Sequence, residues 1–392
     1  MNYLSRSFLL GHVQSILDFY EPNVIDPAGG FFQNFRDDGT VFDPGRRHLV
    51  SSCRMVFNYC KAYQMLDRQQ YLDHARHGLE FIRRYHWDAS RGGYHWTLTA
   101  GREPDDQTNQ CYGLAFVMLC LSAAHELGLA GQDDIERVYR IMQERFWQPD
   151  IGVYADEATP DWSSVDLYRG QNANMHSCEA LLAAFEATGN SMYLDRASAL
   201  AEKVAGELAD KAGGLVWEHY TPELDLDWDY NRDDPKNLYR PWGFQPGHQT
   251  EWAKLLLTLH AHCRDSWLVD RARNLFDPVM ESCWDGEHGG IYYGFAPDGQ
   301  ICDSDKYFWV QAETIAASAR LYHQTGDAAY LDWYEKIWQY AWDHMIDHRH
   351  GAWFRVLTAD NQPYSDEKSA AGAKCDYHTI GACWDVLRIL PD

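Results

Sequence analysis

The chain has 392 residues, of which 58 are Asp or Glu and 34 are Lys or Arg, giving a formal net charge of −24 with histidine neutral. Nucleic acids and anionic membranes are bound through Lys and Arg at their phosphates, so a surface this acidic excludes both as partners. With 45% apolar and 14% aromatic residues, the composition also excludes a disordered chain and predicts a large packed core.

The opening stretch, MNYLSRSFLLGHVQSILDFY, spreads Arg6, His12 and Asp18 among apolar positions and has no small-residue cleavage site. It predicts an amphipathic helix rather than a signal peptide. GGFFQNF at Gly29 comes next, with glycine allowing a tight turn and alternation making a short strand. RRHLVSSCRMVFNYCKAY predicts a buried helix carrying Arg54, and YLDHARHGLEFIRRYHW a charged, amphipathic one.

This sequence of strand, buried helix and amphipathic helix recurs to the end of the chain. The Gly-aromatic segments begin at Gly29, Gly92, Gly152, Gly213, Gly289 and Gly351, with spacings of 63, 60, 61, 76 and 62 residues. Helices apolar nearly all round, such as CYGLAFVMLCLSAAHELG, alternate with charged ones that repeat Tyr-Leu-Asp at Tyr71, Tyr193 and Tyr330. The run from Tyr112 to Ala124 is too short to span a bilayer. LDLDWDYNRDD, from Leu224, reads as a solvated loop over the mouth.

Six repeats of one module predict a single domain over residues 1–392. The fold class is all-α: an (α/α)6 barrel, or toroid, of six inner and six outer helices with short β-hairpins at one mouth. The ten cysteines form no C-x-x-C pair and several lie in apolar helices, which predicts reduced core thiols of a cytoplasmic protein.

In such a toroid, polar residues at the inner helix starts face the central cavity. Asn172, Asn174, His176 and Glu179 open one inner helix, His248 and Glu251 another, Trp309, Gln311 and Glu313 a third, and Asp376, Tyr377 and His378 the last. His176, His248 and His378 belong to different repeats, so the ring gathers them. An imidazole can take a carbon-bound proton and return it without a metal. Glu251, three residues after His248, shares its helix face and is expected to fix an imidazole tautomer. Glu179 stands equally close to His176, but there the helix dipole is the preferred reason for a carboxylate in the first turn. Arg54 among apolar neighbours requires a carboxylate or a ligand oxygen.

No metal-binding motif, Rossmann fingerprint, P-loop or G-x-S-x-G elbow occurs, so neither metal nor cofactor is expected. The rival chemistry is inverting glycoside hydrolysis by Glu251 paired with Asp376 or Glu313, with two carboxylates about 6.5 to 9.5 Å apart. A sugar-binding toroid without activity is the third reading.

R-x-x-x-x-x-Y at Arg54, N-x-N-M-H-x-x-E-A at Asn172, P-G-H-x-x-E-W at Pro246, W-V-Q-A-E at Trp309 and Tyr377-His378 together resemble the N-acylglucosamine 2-epimerase superfamily along nearly the whole chain. Within it, Q-P-G-H-Q-T-E-W and Y-F-W-V-Q-A-E look most like the mannose isomerase and sulfoquinovose isomerase branch. The resemblance implies proton transfer at sugar C1 and C2. His378 would move the C2 proton, His248 would open the ring and act as partner acid and base, and Glu251 would orient it. Arg54, Tyr112, Asn172 and His176 would hold substrate oxygens, Trp309 would stack on the sugar, and Gln311 would assist.

The expected activity is conversion of D-mannose, or a similar aldose such as D-lyxose, to D-fructose, with sugar 2-epimerisation as the alternative. The expected partner is a small sugar, neutral rather than charged given the acidic surface. Arg46 and Arg47, or Arg240, would be the ones to meet an anionic C6 substituent, but they read first as solvated loop residues. Oligomeric state is left open.

Overall fold

The computed structural model describes residues 1–237 and 239–391. Six inner helices begin at one end of the molecule: α2 (Leu49–Leu66), α4 (Cys111–His125), α6 (Gln171–Thr188), α9 (Pro246–Cys263), α11 (Phe308–Thr325) and α13 (Tyr377–Ile389). Outside them lie α1 (Arg6–Tyr20), α3 (Gln69–Phe81), α5 (Gln132–Arg145), α7 (Ser191–Ala201), α10 (Ser266–Cys283) and α12 (Ala328–Tyr340), with a short α8 (Ala209–Lys211) prolonging α7. This is the (α/α)6 toroid that the repeats predict.

The division into layers follows from side-chain pattern. In α4, Cys111 and every residue from Gly113 to Ala124 are buried, so the helix has neighbours on all sides. In α5 only Ile135, Val138, Tyr139 and Met142 are buried, the stripe of a helix that faces water on its other side. The repeated tyrosines Tyr71, Tyr193 and Tyr330 are the buried anchors of their outer helices.

Closure joins the two ends of the chain. Helix α13 packs on both α2 and α11, and α1 packs on α13. Short antiparallel ladders tie the segment entering an inner helix to the strand that leaves the following outer helix, as Arg47–His48 to Thr97–Leu98, Arg169–Gly170 to His219–Tyr220 and Lys306–Tyr307 to Val356–Leu357. The same rule pairs Glu367–Ser369, before α13, with Asn34–Arg36, after α1. The sixth unit is therefore built from the last inner helix and the first outer one.

At five of the six Gly-aromatic segments the chain pairs with itself across the glycine turn, as Trp147–Gln148 with Val153–Tyr154 across Gly152 at φ +75°. Strands this short leave backbone groups open, and inner-helix amides close three of them. Asn174 bonds both N–H and C=O of Tyr154, Gln249 those of Val216, and Gln311 those of Ile291 at 3.1 and 2.9 Å. Gln311 is fully buried in this task. Its expected place on the substrate is thereby corrected.

All ten cysteines are unpaired, and apart from Cys263 and Cys302 they are buried. No described helix is long and apolar enough to cross a membrane.

Candidate active site

A cavity of about 660 Å³ opens where the inner helices begin. Arg54, Tyr112, Asn172, His176, His248, Glu251, Trp309 and His378 all line it, one or two from each inner helix. The N-terminal ends of six helices thus converge on one space, and their unpaired N–H groups favour negative charge there.

His378 is the second residue of α13, and its Nδ1–H donates to Glu313 Oε1 at 2.6 Å. The other carboxylate oxygen of Glu313 accepts from Lys254 Nζ at 2.5 Å. Burial raises the Glu313 carboxyl, and the Lys254 ammonium opposes that rise. Burial, then the charge of Arg54, His176 and Lys254, holds the His378 imidazolium well below the ordinary histidine range. With Nδ1 occupied, Nε2 keeps its lone pair for a proton from the cavity.

His248 follows Pro246 in the first turn of α9, and its Nδ1 donates to Glu218 at 2.9 and 3.0 Å. The orienting carboxylate is therefore Glu218, which the sequence reading missed, and not Glu251. Glu218 lies four residues past the second glycine of its repeat. At the equivalent place Thr97, Asp156 and Arg355 line the cavity, so the repeat itself carried the signal. Burial pushes the Asp156 carboxyl up to about 7, against the Gly170 N–H that donates to it at 2.8 Å.

The third imidazole, His176, donates from Nδ1 to Glu179 at 3.0 Å, and Tyr377 OH donates to the same carboxylate at 2.6 Å. Glu179 is a working partner rather than a dipole residue. Burial opposes its charge, yet the His176 hydrogen bond and Lys254 hold it down at about 2. Burial lowers His176 in turn.

Glu251 is 1% exposed, neither of its carboxylate oxygens has a partner, and Oε1 stands 3.9 Å from His176 Nδ1. Burial, then the charge of Glu313, raises it well above the usual carboxylate range. Its carboxyl lines the cavity.

Among the described residues, Arg54 pairs with no carboxylate. Its Nη2 donates to Tyr112 OH at 2.9 Å, and its guanidinium lies 4.4 Å from the Phe116 ring centre and 5.0 Å from that of Tyr377. Aromatic faces stabilise the cation while leaving its electrostatic field open to the cavity. Asn172 Oδ1 is likewise without a partner. Trp309 lies beside both imidazoles, its ring centre 5.0 Å from that of His248 and 5.7 Å from that of His378. A Cβ at Gly247 would stand 2.3 Å from the indole, so glycine is what lets the ring lie there.

Asp376 does not reach the cavity: its carboxylate bonds Lys374 and, at 2.6 Å, Tyr20. Glu313 is bound at both oxygens. In each carboxylate pair expected for hydrolysis, the partner of Glu251 is therefore already engaged by other side chains. Arg47 is buried against Asp26 at 2.8 Å, whereas Arg46 and Arg240 line the cavity. The three mouth arginines each have an acid beside them, Arg46 with Asp105, Arg240 with Glu157 and Arg355 with Glu367. Two sets, His176 with Glu179 and Glu251, and Glu251 with Glu313 and His378, bring possible metal-ligand atoms within 4.8 Å. In both sets the imidazole Nδ1 already donates to a carboxylate.

The family model of N-acylglucosamine 2-epimerase matches residues 30–382. The chain belongs to the N-acylglucosamine 2-epimerase family. It is therefore a sugar isomerase or epimerase. Among curated relatives of this family, a D-mannose isomerase of Marinomonas mediterranea is 50% identical over 98% of each chain. A cellobiose 2-epimerase of Eubacterium cellulosolvens is 25% identical over 96% of each. A crystal structure of D-mannose isomerase, 50% identical, superposes with a TM-score of 0.97 over 100% of both chains.

Proposed function

We propose that this chain interconverts D-mannose, and similar aldoses such as D-lyxose, with D-fructose by histidine proton transfer through a cis-enediolate. The observation that carries the reading is the pair of carboxylate-oriented imidazoles, His248 on Glu218 and His378 on Glu313, set beside the same indole in one cavity. The 50% identity to a D-mannose isomerase supports the choice of sugar.

In this reading the sugar stacks on Trp309 with O1 and O2 toward Arg54. His248 gives a proton to the ring oxygen and takes back the one released from O1, so the pyranose opens to the aldehyde. Neutral His378 takes the C2 proton at Nε2, and the negative charge that develops on the enediolate is met by the Arg54 guanidinium and the helix N-termini. Return of the proton to C1 gives the ketose. His176 and Asn172 hold hydroxyls, and the Glu251 carboxyl gives a proton to O1 and takes up the one that O2 releases. Each well-placed acid or base contributes on the order of 10²- to 10⁴-fold. A neutral sugar suits the mouth, where Arg46, Arg240 and Arg355 each have a carboxylate beside them.

A panel of mannose, lyxose, sulfoquinovose, N-acetylmannosamine and cellobiose tests the assignment. The highest kcat/KM is expected on mannose, with lyxose next. Turnover of cellobiose or N-acetylmannosamine with none on mannose would overturn it.

A further inference from the structure

A second cavity, of about 250 Å³, enters the barrel from the end opposite the mouth and is lined by Glu179, Lys254, Glu313, Tyr377, Arg320 and Asp385 among others. His176, Glu251 and His378 line the front cavity and not this one. The His176–Glu179 and His378–Glu313 dyads straddle the partition between the two spaces, with the imidazole lining the front cavity and the carboxylate the rear one.

Lys254 is the cation of that partition. Its Nζ lies 2.5 Å from Glu313 Oε2, 3.9 Å from Glu179 Oε1 and 4.0 Å from Asp385 Oδ2, while Asp385 is also engaged by Arg320. The lysine stands one turn below Glu251 on α9, and its side chain is 7% exposed. Burial opposes its charge, but the carboxylates around it, Glu313 first and then Glu179, hold it protonated.

We propose that Lys254 is a positioning residue that acts through Glu313, keeping the His378 dyad one proton short so that Nε2 is free to accept the C2 proton. Groups from four other elements bear on this imidazole: Arg54 of α2, His176 and Glu179 of α6, Glu251 and Lys254 of α9, and Glu313 of α11. Of the cations, Lys254 alone bonds the carboxylate that orients it. Should the dyad take up a further proton, Nε2 carries a hydrogen whichever partner holds the shared one, and the base is lost. A cation at Glu313 disfavours that uptake. The role rests on His378 being the base of the proposed reaction, but the protonation of the dyad can be read without any sugar.

The test compares Lys254→Met, Lys254→Arg and Glu313→Gln with the parent by pH profiles of kcat and KM, and by NMR titration of the His378 ring in sugar-free protein. Lys254→Met is expected to move the acid limb of kcat and the His378 titration up by about one to two pH units. Below the limb kcat then falls about ten-fold or more, with KM unchanged because the lysine does not line the front cavity. Lys254→Arg should restore the parent profile, and Glu313→Gln should move the His378 titration the other way. An unmoved titration in folded Lys254→Met protein overturns the proposal, as does a uniform loss of kcat with no shift of the limb. A shifted ring titration with an unshifted kcat profile would retain the electrostatic role and remove His378 as base. If the methionine variant does not fold, the arginine and glutamine variants still decide: a Glu313→Gln titration that does not fall contradicts the mechanism.

Discussion

Glu218 and Glu313 do for two imidazoles what a single carboxylate does in a hydrolase triad: each accepts from Nδ1 and leaves Nε2 toward the cavity. Glu218→Gln should lower kcat by about 10²- to 10⁴-fold with little change in KM, because an amide can present its N–H to Nδ1 and reverse the tautomer. Steady-state kinetics beside a sugar-binding titration checks this. The pH dependence expected of His378 as the proposed base follows from its depressed imidazolium. His378 must be neutral to accept a proton, and its folded value lies well below 6.5, so kcat should hold on the acid side past the ordinary histidine range. A kcat limb at or above 6.5 in the parent protein would contradict that assignment.

At the scale of helices and strands, the amide clamps explain why polar residues at inner helix starts are not all part of the site. Gln311→Ala leaves the buried N–H and C=O of Ile291 without partners, and should cost about 2 to 4 kcal/mol while leaving KM unchanged. Thermal melting and sugar titration separate that outcome from a lost substrate contact. Asn174, Gln249 and Gln311 look in sequence like Asn172, because all are amides beside a helix start. Only the register against a neighbouring strand tells which amide turns to backbone and which to the cavity. For the same reason Glu251 was expected as the partner of His248 in place of Glu218. Spacing of three along one helix puts two side chains on one face, but the carboxylate that reaches Nδ1 comes from the Gly-aromatic segment thirty residues earlier in the chain. The three histidines, Arg54, Tyr112 and Trp309 were legible because each begins or lies early in a helix whose place in the ring the repeats fix.

The whole molecule is a closed ring, sealed where α1 packs on α13. His12 accepts from the Trp353 indole at 2.8 Å and Tyr20 donates to Asp376 at 2.6 Å, so the first helix secures the turn that sets His378. Removal of residues 1–20 should abolish cooperative unfolding together with activity, as read by calorimetry. Acid should loosen the same ring. Burial lowers His12 to about 4 and His86 to about 4, so the folded protein refuses protons that the unfolded chain takes up from about 6.5. Each group then removes about 3 kcal/mol as pH falls from 6.5 to 4, and the melting temperature should drop steeply over that interval.

The toroid and its six units were legible because glycine and apolar period repeat at near-constant spacing. The outcome at C1 or C2 was not, since both products share one enediolate. Incubation of the protein with D-mannose in deuterated water, followed by NMR, addresses that directly. The account predicts fructose carrying deuterium at C1 to the extent that the His378 proton exchanges, with no glucose; glucose formed without fructose would contradict it.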